Sequence, residues 1–263
     1  MSTNLVILYP HYLLEGDKET FPSGAAGFPS SNVVAGCRQD RFRTVSAAAP
    51  SASTIFDINI TRLPDDEKSP DYIYIAGLRL STDRENVNVS VEGYDTAAFS
   101  GAVDSFSASD VTSADCAAFG RNAEDYVIEA GSVSPCNFWR VVIQNAGDSA
   151  AVLECRKIFL GQWLDLGTDP EVPVSFYINP EDKGKRQYRR VINLSWRGVS
   201  NVMLHKWQQK IVARAYTPIC LYARGWDAIL NEEQLFYCQL RTSSYERLRH
   251  DMNRITAEFI ECI

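Results

Sequence analysis

Apolar and polar residues alternate with a period of two along much of the chain. Phe56, Ile58 and Ile60 share a phase within 54–60, as do Tyr74, Ala76, Leu78 and Leu80 within 72–80. The pattern is cleanest at 87–92, where Val87, Val89 and Val91 face one way and Asn88, Ser90 and Glu92 the other. Further runs lie at 126–129, at 138–145, with Trp139, Val141 and Ile143 in phase, and at 151–161. Such alternation predicts strands of sheets with one wet face. The turn-forming residues 145–149 predict an antiparallel hairpin between the last two runs. Residues 96–121, rich in Ser, Ala, Asp and Gly, read as a long loop with at most one short strand.

A break follows at 165–173, which carries two prolines, a glycine and three acids, the composition of a linker. Beyond it, strands are expected at 174–178, 189–196, 219–222, 235–240 and 254–263, with a charged loop at 179–187. In 189–196, Ile192, Leu194 and Trp196 oppose Val191 and Asn193. One helix is predicted, over 201–215. Ser200 is placed to cap it, Met203, Trp207 and Ile211 recur at four-residue steps with Leu204 beside them, and Pro218 ends it. The chain therefore reads as all-β, with domains at 1–164 and 174–263 and one amphipathic helix in the second. No internal repeat of fixed period stands out.

Composition narrows the classes. Hydrophobic residues make up 45% of 263 and charged ones 22%, enough apolar material for a core and too little charge for disorder. No apolar run approaches the ~20 residues of a spanning helix. The first 14 residues lack a basic start and are interrupted by Tyr9, Pro10 and His11, so no signal peptide is expected. Such a chain stays in the cytosol where it is made, or leaves by a route such as lysis. The net charge of −7 is uneven: 183–263 holds 14 basic against 7 acidic residues, and 1–182 holds 12 against 26. Opposed faces of neighbouring copies, or two solvated surfaces, both fit this split. Overall acidity argues against nucleic acid as the main ligand.

Signatures of catalysis are missing. The three histidines, His11, His205 and His250, form no HExxH or HxH spacing, and there is neither a GxSxG elbow nor a GK[ST] phosphate loop. The seven cysteines are widely spaced without a CxxC, which favours buried free thiols over a metal or cluster assembled from distant positions. Asp57 with Asp65, Asp66 and Glu67 offers oxygen ligands for calcium, but the run lacks the glycine-punctuated alternation of a dedicated loop, so a solvated acidic turn is the preferred reading. No cofactor, no metal and no enzyme activity are expected.

Short motifs point to a family. Phe28-Pro-Ser-Ser-Asn-Val-Val-Ala-Gly, followed by Asp40-Arg41-Phe42-Arg43-Thr44, resembles the opening of galactose-binding-like (discoidin-type) jelly rolls. Phe138-Trp-Arg-Val-Val-Ile and Arg156-Lys-Ile-Phe-Leu-Gly resemble closing strands of that fold as it occurs in tail proteins of tailed bacteriophages. Asn193-Leu-Ser-Trp-Arg-Gly-Val-Ser, running into the helix, is similar to the second β module of such proteins. The resemblance implies an N-terminal jelly-roll sandwich, a smaller β tail-assembly module, and a distal-tail-like or minor tail protein. Its implied role is a homo-oligomeric ring at a virion's tail tip, joining the tail tube to hub or fibre proteins. The alternative is a carbohydrate-binding module for a host-surface glycan.

For the ring, Arg186, Arg189 and Arg190 are the expected contacts with acidic surface, because guanidinium forks pair bidentately with carboxylates. A solvated, charge-protected strand edge is the competing reading of the same cluster. For the glycan, Tyr94 and Trp139 are the candidate contacts, drawn from a set with Tyr72, Tyr74 and Trp163. Core filling explains the same aromatics.

Overall fold

The computed structural model describes residues 5–9, 12–27, 29–33, 42–45, 49, 51–80, 87–111, 126–146, 150–171, 175–178, 189–215, 217–223 and 235–262. The chain forms two compact units, Pro10–Gln162 and a second made of Met1–Tyr9 with Trp163–Ile263. The described strands, in chain order, are β1 (Leu5–Tyr9), β2 (Asp17–Thr20), β3 (Phe42–Arg43), β4 (Ser53–Asn59), β5 (Tyr72–Ala76) and β6 (Arg79–Leu80). Then come β7 (Val87–Tyr94), β8 (Asp104–Val111), β9 (Tyr126–Glu129), β10 (Phe138–Asn145), β11 (Leu153–Cys155) and β12 (Lys157–Asp165). The rest are β13 (Ser175–Ile178), β14 (Arg190–Val199), β15 (Ile219–Ala223), β16 (Leu235–Arg249) and β17 (Met252–Glu261). The described α-helices are α1 (Tyr12–Glu15) and α2 (Asn201–Lys210). No described helix is long and apolar enough to cross a membrane.

The 10–162 unit is an antiparallel jelly-roll sandwich. One sheet has the order β2-β4-β10-β7-β8. Facing it are β5, paired with β9 and β12, and a short ladder β3-β11-β6. Their inward positions meet in one core: Phe56, Ile58, Val89, Val91, Trp139, Val141 and Ile143 from the first sheet, and Ile73, Ile75, Ile158 and Leu160 from the second. In the first sheet the period-two phases of the sequence are these inward positions. β5 instead turns Ile73 and Ile75 to this core, the phase opposite to the expected Tyr74 and Ala76, because it is buried on both faces. Phe42 is fully buried and sets its ring edge-on to Phe56 at 5.7 Å.

The expected hairpin between 138–145 and 151–161 does not form. Both edges of β10 are occupied, by β4 and β7, so no edge is left for the segment that follows. That segment splits at Arg156: β11 pairs with β3 and β6, and β12 with β5. Within 96–121, β8 runs for eight residues, longer than the short strand expected there, and pairs with β7.

The second unit has one antiparallel sheet, with β13, β14, β17, β16, β15 and β1 as successive neighbours. The first strand of the chain thus pairs with a strand more than 200 residues later, Leu5 opposite Ala223. A five-residue run buried at every position carries no alternation to say which sheet it joins. Helix α2 begins as expected, with the Ser200 hydroxyl accepting the Met203 N–H at 3.3 Å. It ends at Lys210, and 212–214 continue as a 3₁₀ turn. Leu204, Trp207 and Ile211 pack with Trp196, Ile255 and Phe259. Of the 165–173 stretch, the described residues lie within this unit. The Asp169 carboxylate accepts the Leu5 N–H at 3.2 Å, and the Glu171 N–H donates to Ser195 O at 2.6 Å.

Candidate functional site

Strand parity that buries Trp139, Val141, Ile143 and Asn145 turns Phe138, Arg140, Val142 and Gln144 to the opposite face of β10. Antiparallel register arranges their neighbours in rows. Arg140 lies between Asp57 of β4 and Glu92 of β7, with Ser105 of β8 beyond Glu92. Val142 lies between Ile55 and Ser90, with Ser107 beyond, and Gln144 between Ser53 and Asn88. Ser53, Asn88, Ser90, Glu92, Ser107, Val142 and Gln144 line a shallow groove of about 380 Å³ on this face.

The row at Arg140 is tightly organised. Its Nε and Nη2 donate to the two Asp57 oxygens at 2.7 and 3.0 Å, a bidentate pair with Asp57 almost wholly buried. The Asp57 bonds hold the guanidinium above its ordinary pKa. Phe99 places its ring centroid 4.7 Å from the guanidinium carbon, and Tyr94 places its own at 5.6 Å. Phe99 also meets Tyr94 at 5.4 Å and Phe138 at 5.9 Å, both edge-on. Its φ of 48° is a left-handed conformation, uncommon for a bulky residue and held here by these contacts. The Tyr94 hydroxyl donates to Glu92, and burial, reinforced by that carboxylate, pushes the phenol up to about 12. Along the groove, Asn88 Nδ2 donates to Gln144 Oε1 at 3.1 Å and Gln144 Nε2 to Ser51 O at 3.0 Å.

Close packing beneath the face makes it rigid. A Cβ on Gly93 would stand 2.7 Å from Cys136 Sγ and 2.9 Å from the Trp139 ring, so only glycine lets β7 lie over that indole. Trp139 Nε1 donates to Lys68 O and Cys136 O at 3.1 and 3.2 Å. Burial raises the Cys136 thiol to about 11, with Asp95 and Asp104 adding to the shift.

The expected glycan contacts fall differently. Trp139 is completely buried, as are Tyr72 and Tyr74, so none of these rings can stack on a sugar. Tyr94 is 5% exposed and reaches the outward face only as the backing of Phe99 and Glu92. Phe99 and Phe138, both half-buried, are the rings at the Arg140 row, which meets the groove at Glu92. Phe138 was recoverable from parity, since it lies out of phase with Trp139. Phe99 sits in a loop without periodicity, where no local signal singles it out.

The expected assembly contacts also change. Arg186 lies outside the described residues. Arg189 is half-buried beside the start of β14. Arg190 is engaged within its own sheet: Nε and Nη2 donate to Glu261 at 2.9 and 2.6 Å, and its guanidinium carbon lies 5.2 Å from the Phe236 centroid. It is not a cation left over for a neighbour. The charge split narrows too when drawn along the units. The 10–162 unit has 12 basic and 21 acidic residues, net −9, and the other has 14 and 12, net +2.

Asp57 is held by Arg140, Asp65 by Lys68 Nζ at 2.8 Å, and the Glu67 side chain is buried. Among the described residues, no three His, Cys, Asp or Glu side chains converge as a metal site requires. Cys136, Cys155, Cys220 and Cys238 are buried and Cys262 is half-buried, none of them in a disulfide, while Cys37 and Cys116 lie outside the described residues.

No protein-family model matches the chain, and no curated protein matches it. Solved structures that resemble it include the carbohydrate-binding module CBM32-1 of a family 31 glycoside hydrolase from Clostridium perfringens. The identity is 11% and the TM-score 0.40, covering 58% of this chain and 98% of the module. A chitosan-binding module from a Paenibacillus chitosanase/glucanase gives 11% and 0.37, covering 58% and 99%. A Ruminococcus gnavus GH29 fucosidase gives 11% and 0.35, and there this chain covers 56% of itself but only 24% of the fucosidase. None of the three is a tail protein. At these scores the likeness carries no argument about function.

Proposed function

We propose that the 10–162 unit recognises a glycan on the outward face of its β2-β4-β10-β7-β8 sheet. One observation carries this reading: two rings, Phe99 and Phe138, stand at the Arg140 row of the face, and from Glu92 of that row a groove of hydroxyl, amide and carboxylate groups runs along the strands. A sugar ring needs both kinds of surface. Its C–H face stacks on aromatic carbon, and its hydroxyls need donors and acceptors at fixed spacing. Ser53, Ser90 and Ser107 offer groups of both kinds, Glu92 an acceptor, and Asn88 and Gln144 amides held in place by their mutual bond.

The role is binding rather than turnover. Both Asp57 oxygens are engaged by Arg140, and Glu92 accepts the Tyr94 hydroxyl, so both carboxylates are used to hold the face in shape. A structural role in a phage tail tip is a second reading, supported by the paired motifs at 138–143 and 156–161. A glycan-binding face is compatible with it, since a tail tip meets the host envelope.

A glycan array with the full chain, followed by titration of the best ligand, tests the proposal. Selective retention is expected. Phe99→Ala should weaken it ~10-fold, about 1.4 kcal/mol. Ser90→Tyr, which fills the groove from the solvent side, should abolish it. The reading fails if no glycan is retained, or if both variants bind as the parent does.

A further inference from the structure

Among the described residues, the distal half of β16 is a bare sheet edge. Leu235–Cys238 have β15 as a neighbour, but from Thr242 to Arg247 the described pairing is with β17 alone. Register shifts at 240/242 and 247/249 bound this run and leave it regular between them. All six residues are exposed. The run holds no Pro, Gly or Lys, and its one acid and one base cancel. Folded proteins usually protect an edge of this length with such residues, because unpaired N–H and C=O groups template another strand.

We propose that this edge pairs with the same edge of a second copy of the chain, antiparallel and two-fold related about Ser244. Directly opposed residues then share a face: Ser244 meets its own copy, Thr242 meets Glu246, and Ser243 meets Tyr245. Every contact off the axis occurs twice, as a two-fold interface requires. The Thr242 hydroxyl can donate to the opposing Glu246 carboxylate. Tyr245, 60% exposed, gains cover against the strip where Ser243 Oγ accepts the Trp207 Nε1–H at 3.0 Å. Charge favours a like partner over an acidic or basic one. The run is neutral, Arg241 is paired with Glu258 at 3.2 Å, and the Arg247 guanidinium turns to the hairpin tip, donating to Arg249 O and His250 O. Five paired residues span about 17 Å, less than a standard interface, so the dimer forms by concentration. The proposal does not rest on glycan binding.

The test uses the full chain. Sedimentation should show a concentration-dependent monomer–dimer equilibrium, weakened at least ~10-fold by Thr242→Lys with Ser244→Lys while the circular-dichroism spectrum is unchanged. Opposed Cα atoms in an antiparallel pair lie about 4.5–5.5 Å apart, within disulfide reach, so oxidised Ser244→Cys should give a covalent dimer. Thr256→Cys, exposed on the same face but one strand inward, should not. The proposal is overturned if the chain stays monomeric at every concentration, if the lysine pair leaves association undiminished, or if both cysteine variants cross-link alike.

Discussion

Arg140 and Arg190 make nearly the same local structure in two places. Each guanidinium is bidentate to a carboxylate on a neighbouring strand, each pair is mostly buried, and each lies near a phenylalanine ring. Their positions differ. Arg190 stands at the start of β14 and grips the end of β17, and its Phe236 is a core residue, so the pair closes a strand end. Arg140 stands in mid-strand on an open face, under a ring borne by a loop in a left-handed conformation, with the polar groove beside it. One arrangement fastens a sheet and the other presents a surface. An arginine cluster in a sequence therefore says little about partners until the acid each arginine meets is known.

The largest effect expected bears on the layer under that surface. Trp139→Ala should cost about 3–5 kcal/mol in denaturant unfolding, because it empties a fully buried indole site. A stable variant that merely loses ligand would put the ring on the surface and break the contrast between inner and outer phases of β10. Next come the two ion pairs. Asp57→Ala and Glu261→Ala should each destabilise by about 2–3 kcal/mol, each leaving a largely buried guanidinium without its anion. Only Asp57→Ala should also weaken glycan binding. Equal effects on binding would erase the distinction drawn between the pairs.

A smaller effect concerns pH. The Tyr94 phenol titrates at about 12, above its ordinary 10.0, so it favours the folded state while protonated. That contribution is complete below pH 10 and is lost as pH rises through 10 to 12. The stability difference between the parent and Tyr94→Phe should shrink across that window, read by urea unfolding at stepped pH. A constant difference would mean that Tyr94 is not held neutral by burial and Glu92.

Much of the architecture was legible. Period-two phases marked the inner faces of β4, β7, β10 and β14, and a capped four-residue stripe marked α2. Three things were not. The partner of β1 was hidden because Leu5–Tyr9 is buried on both faces and so lacks a phase. The distal half of β16 was hidden for the opposite reason: Thr242–Arg247 is exposed on both faces and equally patternless. The hairpin after β10 was misread because a good turn says nothing about whether the strand before it has a free edge. For the site, parity already pointed Glu92 and Ser90 outward and Trp139 inward. That phase excludes Trp139 as a glycan contact, and Phe99 is placed only by the fold of its loop.

The most direct test of the central claim is a map of where a sugar binds. The isotope-labelled chain would be titrated with the best array ligand and followed by amide NMR. Shifts should concentrate at Ser90, Glu92, Phe99, Ser107 and Gln144, on one face of one sheet. Selective binding whose shifts cluster elsewhere in the 10–162 unit, with those five amides unmoved, would contradict the account.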